Sequence, residues 1–230
     1  RYPYGNKPAD EVRGFAKELA WSLVREYGVK MIVVACNTAA SVALDELVDE
    51  LPVPVIGVIE PGARALVRVT HNNKVGVIGT VGTISSGAYV QAIRATGASV
   101  SLTSAACPGF VEFVERDQTT GDEVMVLAER LLAPVRDAGV DALLLGCTHY
   151  PYLSRVISDV MGAGVVLVSS ADETAFVVKQ ELETTHLVRE TTDGSLGEHQ
   201  FLSSGDIAWF AQLGRRLLGP ELETAMQWKN

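Results

Sequence analysis

Three cysteines occur in 230 residues, and two of them stand in matching contexts. Cys36 follows the apolar run Val33-Val34-Ala35 and precedes Asn37-Thr38; Cys147 follows Leu143-Leu144-Leu145-Gly146 and precedes Thr148-His149. A thiol at a strand end that opens onto a helix meets free backbone N–H groups and the positive end of the helix dipole. Such surroundings lower its pKa from roughly 8.5 and make thiolate accessible near neutral pH. If two such strand ends face each other, one thiolate can take a proton from a carbon while the opposite thiol delivers one to the other face. That inverts a stereocentre without a cofactor. A single acid/base would more readily return the proton to the face it left. Asn37, Thr38 and Thr148 add short polar side chains at the same places, and the position of His149, two residues after Cys147, favours a functional role.

Taken singly, a cysteine is more often packing than chemistry. Cys107, in Ala105-Ala106-Cys107-Pro108-Gly109-Phe110, keeps that reading because a Pro-Gly turn follows it. For Cys36 and Cys147 the matched contexts reverse the odds.

Elements must hold the two thiols in place. Val12, Phe15, Leu19 and Leu23 recur at helical spacing, so a helix is predicted from Pro8 to Tyr27, with Asp10 and Glu11 at its positive end and Gly28 at its stop. The apolar run 31–35 reads as a strand covered on both faces, and a helix follows over 37–48. A strand over 53–59 and a helix over 61–69 come next. Further strands are predicted near 74–79, 99–105, 141–146 and 165–168, with helices near 84–96, 122–138, 151–161 and 173–183. A hairpin around Asp193-Gly194 and a last helix over 207–218, stopped by Gly219-Pro220, complete the chain. The alternation gives an α/β fold with mainly parallel sheets. Strands end where ligands bind in such sheets, which is where both thiols fall. The segments 74–105 and 141–168 look like a second α/β unit inserted in the first.

Composition narrows the chemistry. Hydrophobic residues make up 47%, enough for a sizeable core, and the net charge of −9 with a pI near 5.0 argues against a nucleic-acid backbone as main ligand. An odd cysteine count without C-x-x-C fits a reducing cytoplasm better than a disulfide framework, a zinc ribbon or a redox site. The four histidines lack metal-site spacing, so no metal is expected; His71, His186 and His199 sit in polar surroundings and read as surface residues. No apolar run approaches a bilayer span, and no secretion signal is visible. Gly79-Thr80-Val81-Gly82-Thr83 lacks a Walker pattern and a dinucleotide fingerprint, so its glycines read as turn residues.

Val33–Ala39 together with Gly146–Pro151 resembles the glutamate racemases of the cofactor-independent aspartate/glutamate racemase superfamily. Pro3-Tyr4-Gly5, GVIEPG at 57–62, GVIGTVGT at 76–83 and ACP at 106–108 extend the resemblance over nearly the whole chain, in the same order. The resemblance implies two α/β lobes, residues 1–60 with 173–230 and residues 61–172, with the active site in the cleft between them. It implies Cys36 and Cys147 on opposite faces of the α-carbon, the first usually serving the D and the second the L enantiomer. Asn37, Thr38 and Thr148 would hold the amino acid, and Pro3, Tyr4 and Gly5 would line the site. His149 would assist Cys147, and Glu60 would lie near His149 and orient it. Thr80 and Thr83 are weaker candidates bordering the site.

The implied function is supply of D-glutamate for peptidoglycan, with glutamate as substrate, no cofactor, no membrane or direct nucleic-acid partner, and a homodimer. An interaction with gyrase follows only by analogy with some members. An aspartate or hydantoin racemase is the alternative within the superfamily, although relatives specific for aspartate tend to carry Glu where His149 stands. The family opens with a strand bearing Asp-Ser-Gly, whose Asp assists the first cysteine and whose Ser contacts substrate. That motif is not in this sequence, and residues upstream of Arg1 that carry it are expected, since Arg1 continues the family pattern as if cut mid-way. Were it truly absent, a non-catalytic binding or regulatory protein would be the competing reading.

Overall fold

The computed structural model describes residues 1–190, 197–222 and 224–228. Helix α1 (Ala9–Tyr27) buries Val12 and Ala20, and Gly28 ends it in the left-handed conformation that glycine adopts without strain. It packs against α2 (Asn37–Glu50) and strand β1 (Ile32–Val34), where Ala20, Ile32, Ala43, Leu47 and Leu51 form one small core. Parallel to β1 runs β2 (Val55–Gly57), followed by α3 (Ile59–Val69).

The second sheet has four parallel strands in the order β4-β3-β5-β6: β3 (Lys74–Gly79), β4 (Ser101–Ala106), β5 (Ala142–Gly146) and β6 (Val166–Val168). All of β5 is buried. Its side chains alternate: Leu143 and Leu145 pack with Ala128, Leu132 and Ile157, while Ala142 and Leu144 pack with Ala63, Leu66 and Ile93. Helices on both faces explain why this strand reads as a continuous apolar run. They are α7 (Asp122–Asp137) and α8 (Ser154–Met161) on one side, and α3 with α5 (Ala88–Ala95) on the other.

Several expectations need correction. Val33 of β1 is 41% exposed, so this run is not covered on both faces; among the described residues β1 pairs only with β2. The helix expected over 84–96 is two, α4 (Val81–Ser85) and α5, because Gly87 takes a φ of 69° between them. A short helix α6 (Phe110–Glu115) follows the Pro108-Gly109 turn and was not foreseen. The helix expected over 151–161 begins as one 3₁₀ turn at Tyr150–Leu153.

Helix α9 (Ala171–Thr184) carries Asp172 and Glu173 in its first turn. The hairpin tip at Asp193-Gly194 lies outside the described residues, and no strand pairing joins the flanking pieces among the described residues. Instead β7 (Leu202–Ser203) pairs in parallel with β8 (Met226–Gln227), downstream of the final helix α10 (Ile207–Leu218). Beyond β8 the buried Trp228 returns to α1, its indole N–H donating to Ser22 Oγ at 2.8 Å. No helix among the described residues is long and apolar enough to cross a membrane.

Candidate active site

Cys36 is the residue that caps α2, immediately beyond β1, with an extended backbone at φ −79°. Cys147 follows Gly146, the last residue of β5, and accepts the turn that leads into Tyr150–Leu153. Both thiols line one cavity of about 320 Å³. Around it stand Pro3, Tyr4, Gly5, Asn37, Thr38, Thr148 and His149, so the fold brings together the candidates from the sequence apart from Glu60 and the weaker candidate Thr83. Thr80, Cys107 and Glu112 complete much of the wall.

The two thiols have different neighbours. The backbone N–H groups of Thr38 and Ala39 and the Thr38 hydroxyl lie towards the sulfur of Cys36 and work against burial, but burial is the larger effect and pushes the thiol up. Burial also dominates at Cys147, whose thiol is pushed up to about 12 against the opposing backbone N–H groups of His149 and Tyr150. The sequence-based expectation of lowered thiols is therefore reversed. A helix start stabilises a thiolate by a few hydrogen bonds, and removing the sulfur from water costs more. A base raised in this way is stronger towards a carbon acid, but a thiol near 12 is ionised to only about 1 part in 10⁵ at pH 7. A partner must take its proton.

His149 lies beside this thiol. Its Nδ1 lies 3.9 Å from Cys147 Sγ and its Nε2 lies 3.1 Å from Glu115 Oε1. The Glu115 side chain is only 12% exposed, at the end of α6. Glu60, expected to orient His149, is elsewhere. It sits in the first turn of α3, 75% exposed, with Arg64 4.0 Å away, and borders a different hollow. Its carboxylate complements a helix N-terminus, which any acidic residue there does. Glu115 escaped sequence reading because six residues of helix carry too little periodicity, and only three-dimensional folding brings it to His149.

Three hydroxyls hold the opposite wall. Thr38 Oγ1 lies 2.9 Å from Thr80 Oγ1 and 3.2 Å from Thr83 Oγ1, and Thr80 also accepts from the Thr83 N–H as the cap of α4. Gly82 N–H donates to Gly5 O at 3.0 Å, tying the Pro3-Tyr4-Gly5 loop to the same turn. The residues of 79–83 thus make structure within the wall. Asn37 is buried, and the hydroxyl of Tyr89 on α5 donates to its Oδ1 at 2.6 Å. Cys107 is buried, its S–H directed at Ala105 O, and is pushed up to about 12 by burial. It borders the cavity but packs as a core residue. His71, His186 and His199 are exposed. Among the described residues, no three His, Cys, Asp or Glu side chains gather as they would around a metal ion.

Comparison with known proteins bears on this arrangement directly. Residues 2–176 match the model of the family described as Asp/Glu/Hydantoin racemase. The chain belongs to that family. A glutamate racemase of Corynebacterium diphtheriae is 49% identical over 220 residues, covering 96% of this chain and 82% of its own length. The structure of glutamate racemase isoform RacE1 from Bacillus anthracis superposes with a TM-score of 0.91 at 36% identity, covering 100% of this chain and 84% of that one. That of the Francisella tularensis glutamate racemase, in complex with D-glutamate, superposes at 0.90 with 30% identity and the same two coverages. Family membership accounts for the α/β architecture with parallel sheets.

Proposed function

We propose that this chain interconverts L-glutamate and D-glutamate by proton transfer between Cys36 and Cys147. The observation that carries the reading is the single cavity lined by both thiols, in a chain whose close relatives are glutamate racemases. In the L-to-D direction His149 Nδ1 takes the Cys147 proton. The thiolate removes the α-proton of L-glutamate, and Cys36 gives its thiol proton to the opposite face. The D-to-L direction reverses each transfer. Glu115 balances the imidazolium that forms transiently on His149. Asn37, Thr38 and Thr148 hold the substrate's polar groups, with Pro3, Tyr4 and Gly5 lining the site, and the backbone N–H groups at the start of α2 favour a carboxylate. The α-proton is far less acidic than a thiol, so a dry cavity that strengthens these interactions must stabilise the carbanion-like transition state.

We place residues 1–60 and 173–230 in one lobe and 61–172 in the other. The separation of the β1-β2 pair from the four-stranded sheet and the return of Trp228 to α1 support this division. The product suits a role in supplying D-glutamate for peptidoglycan, and three free cysteines suit a reducing, cytoplasmic setting.

The test is incubation of the protein with L-glutamate in deuterated water, following optical rotation and α-proton exchange, with L-aspartate and a hydantoin in parallel. Exchange and racemisation of glutamate, both abolished in Cys36→Ala and Cys147→Ala, are expected. A folded protein that exchanges neither enantiomer of glutamate would overturn the reading.

A further inference from the structure

The His149–Glu115 pair is covered by a residue that precedes the Pro3-Tyr4-Gly5 loop. The ring of Tyr2 stacks on the His149 imidazole, with centroids 6.4 Å apart and planes inclined by 29°. The Tyr2 hydroxyl faces Glu115, the carboxylate that lies 3.1 Å from His149 Nε2. One side chain therefore adjoins both members of the pair. The far side of Tyr2 meets Trp209 of α10, with centroids 6.2 Å apart. The same helix reaches α6 through Arg216, whose Nη2 donates to Val114 O at 2.7 Å and Glu115 O at 3.0 Å while its Nε lies 3.3 Å from Asp117. So α10 holds both the backbone that presents Glu115 and the ring that covers His149.

We propose that Tyr2 is a positioning residue for proton transfer at Cys147, acting through Glu115 and His149. The proposal rests on the racemase reading above. A largely buried carboxylate needs donors; His149 Nε2 lies 3.1 Å from Glu115 Oε1 and the Tyr2 hydroxyl faces the same group. An imidazole that exchanges a proton with Cys147 must keep Nδ1 towards the sulfur; the Tyr2 ring blocks its tilt on one face, and Glu115 fixes its Nε2. With the Tyr2 hydroxyl gone, Glu115 is free to swing towards water and His149 loses its orientation. Among the described residues, the other titratable or charged groups around this cluster include Glu112 on the preceding turn of α6, Cys147 itself and Arg216 on α10, which bonds the two carbonyls and lies 3.3 Å from Asp117. Thr148 Oγ1 lies 3.5 Å from His149 Nδ1. Tyr2 acts indirectly, so its effect should depend on Glu115.

A double-mutant cycle on the full chain tests this, reading steady-state racemisation and α-proton exchange in deuterated water. Tyr2→Phe keeps the ring and is expected to lower kcat about tenfold, with KM changed by less than about threefold, a share of what a general acid–base group contributes. In a Glu115→Gln background the same change is expected to cost less than about twofold, because the partner it acts through is already impaired. The His149 Nε2 resonance in a nitrogen-15 spectrum is expected to move in Tyr2→Phe. Trp209→Leu, which removes the backing and leaves the hydroxyl, should give a smaller loss in the same direction. Losses that multiply in the double variant, or an unchanged kcat and resonance in Tyr2→Phe, would overturn the proposal. Absence of exchange in the unaltered protein would instead overturn the racemase reading, and the resonance still reports the Tyr2 contact on its own.

Discussion

The buried hydroxyl of Tyr89 donates to the Oδ1 of Asn37 at 2.6 Å, joining the second residue of α5 to the first residue of α2. The bond commits the oxygen of the amide and leaves its NH₂ to serve the cavity that Asn37 lines. Tyr89 is 3% exposed, so no water replaces its hydroxyl. Tyr89→Phe is therefore expected to leave an unsatisfied acceptor and to lower stability by about 1–3 kcal/mol. Freed from its anchor, Asn37 should bind substrate less well, raising KM for glutamate about tenfold with a smaller change in kcat. Steady-state kinetics with urea unfolding check both parts; a stability loss with unchanged KM would show that Tyr89 serves only the core.

The exchange of Glu60 for Glu115 as partner of His149 predicts a contrast between two conservative substitutions. Glu115→Gln keeps shape and removes the charge that balances an imidazolium. It is expected to lower kcat about 100-fold, within the usual range for a disturbed acid–base group. Glu60→Gln alters an exposed side chain facing Arg64 and is expected to change kcat by less than about twofold and stability by under about 0.5 kcal/mol. Equal losses from both variants would contradict the assignment of Glu115.

The contrast also shows how far the sequence could be read. The two cysteines were legible because each follows an apolar strand run, and strand ends in parallel sheets are where ligands bind. Helix α1, strand β3 and helix α10 were legible because a periodic apolar face and a glycine stop survive without tertiary contacts. The carboxylate at His149 was not legible, since Glu115 ends a helix of six residues and its role depends on a contact 34 positions along the chain. Tyr89 was hidden for the same reason: nothing local marks a tyrosine on an amphipathic helix as the partner of a distant asparagine. The direction of the thiol shifts was misjudged because a helix start is visible in sequence, while the depth of burial that outweighs it is not.

Two glycines define how close the loop before α1 lies to the turn before α4. A Cβ at Gly5 would come within 2.9 Å of Thr80 Cβ, and one at Gly82 within 3.1 Å of Thr38 Cγ2 and 3.3 Å of the Gly5 carbonyl oxygen. The first clash is with a branched residue locked in the three-hydroxyl cluster, so it cannot be relieved by rotating a long side chain. Gly5→Ala is expected to push the Pro3-Tyr4-Gly5 loop from the wall, lowering kcat/KM at least about tenfold and stability by about 1–3 kcal/mol. Gly82→Ala should do the same more weakly. Retention of full kcat/KM in Gly5→Ala would show that the loop can move without harm to the site.

Burial of the thiols has a consequence for stability at alkaline pH. Cys147 and Cys107 are each pushed up to about 12, whereas an unfolded cysteine ionises near 8.5. Between those values the unfolded chain has lost protons that the folded protein keeps, so stability falls as pH rises. The contribution is fully present below about pH 8.5 and is gone by about pH 12. Each thiol adds a slope of about 1.4 kcal/mol per pH unit across that window. Burial raises Tyr89 and Tyr150 as well, and these steepen the fall above about pH 10. Cys107→Ser separates the thiol from the rest, because a serine hydroxyl can still donate to the Ala105 carbonyl and does not ionise in this range. Urea unfolding at intervals from pH 8 to pH 11 should show a shallower decline for Cys107→Ser, by about 1.4 kcal/mol per pH unit. Parallel declines in the two proteins would mean that the Cys107 thiol is not held protonated by the fold.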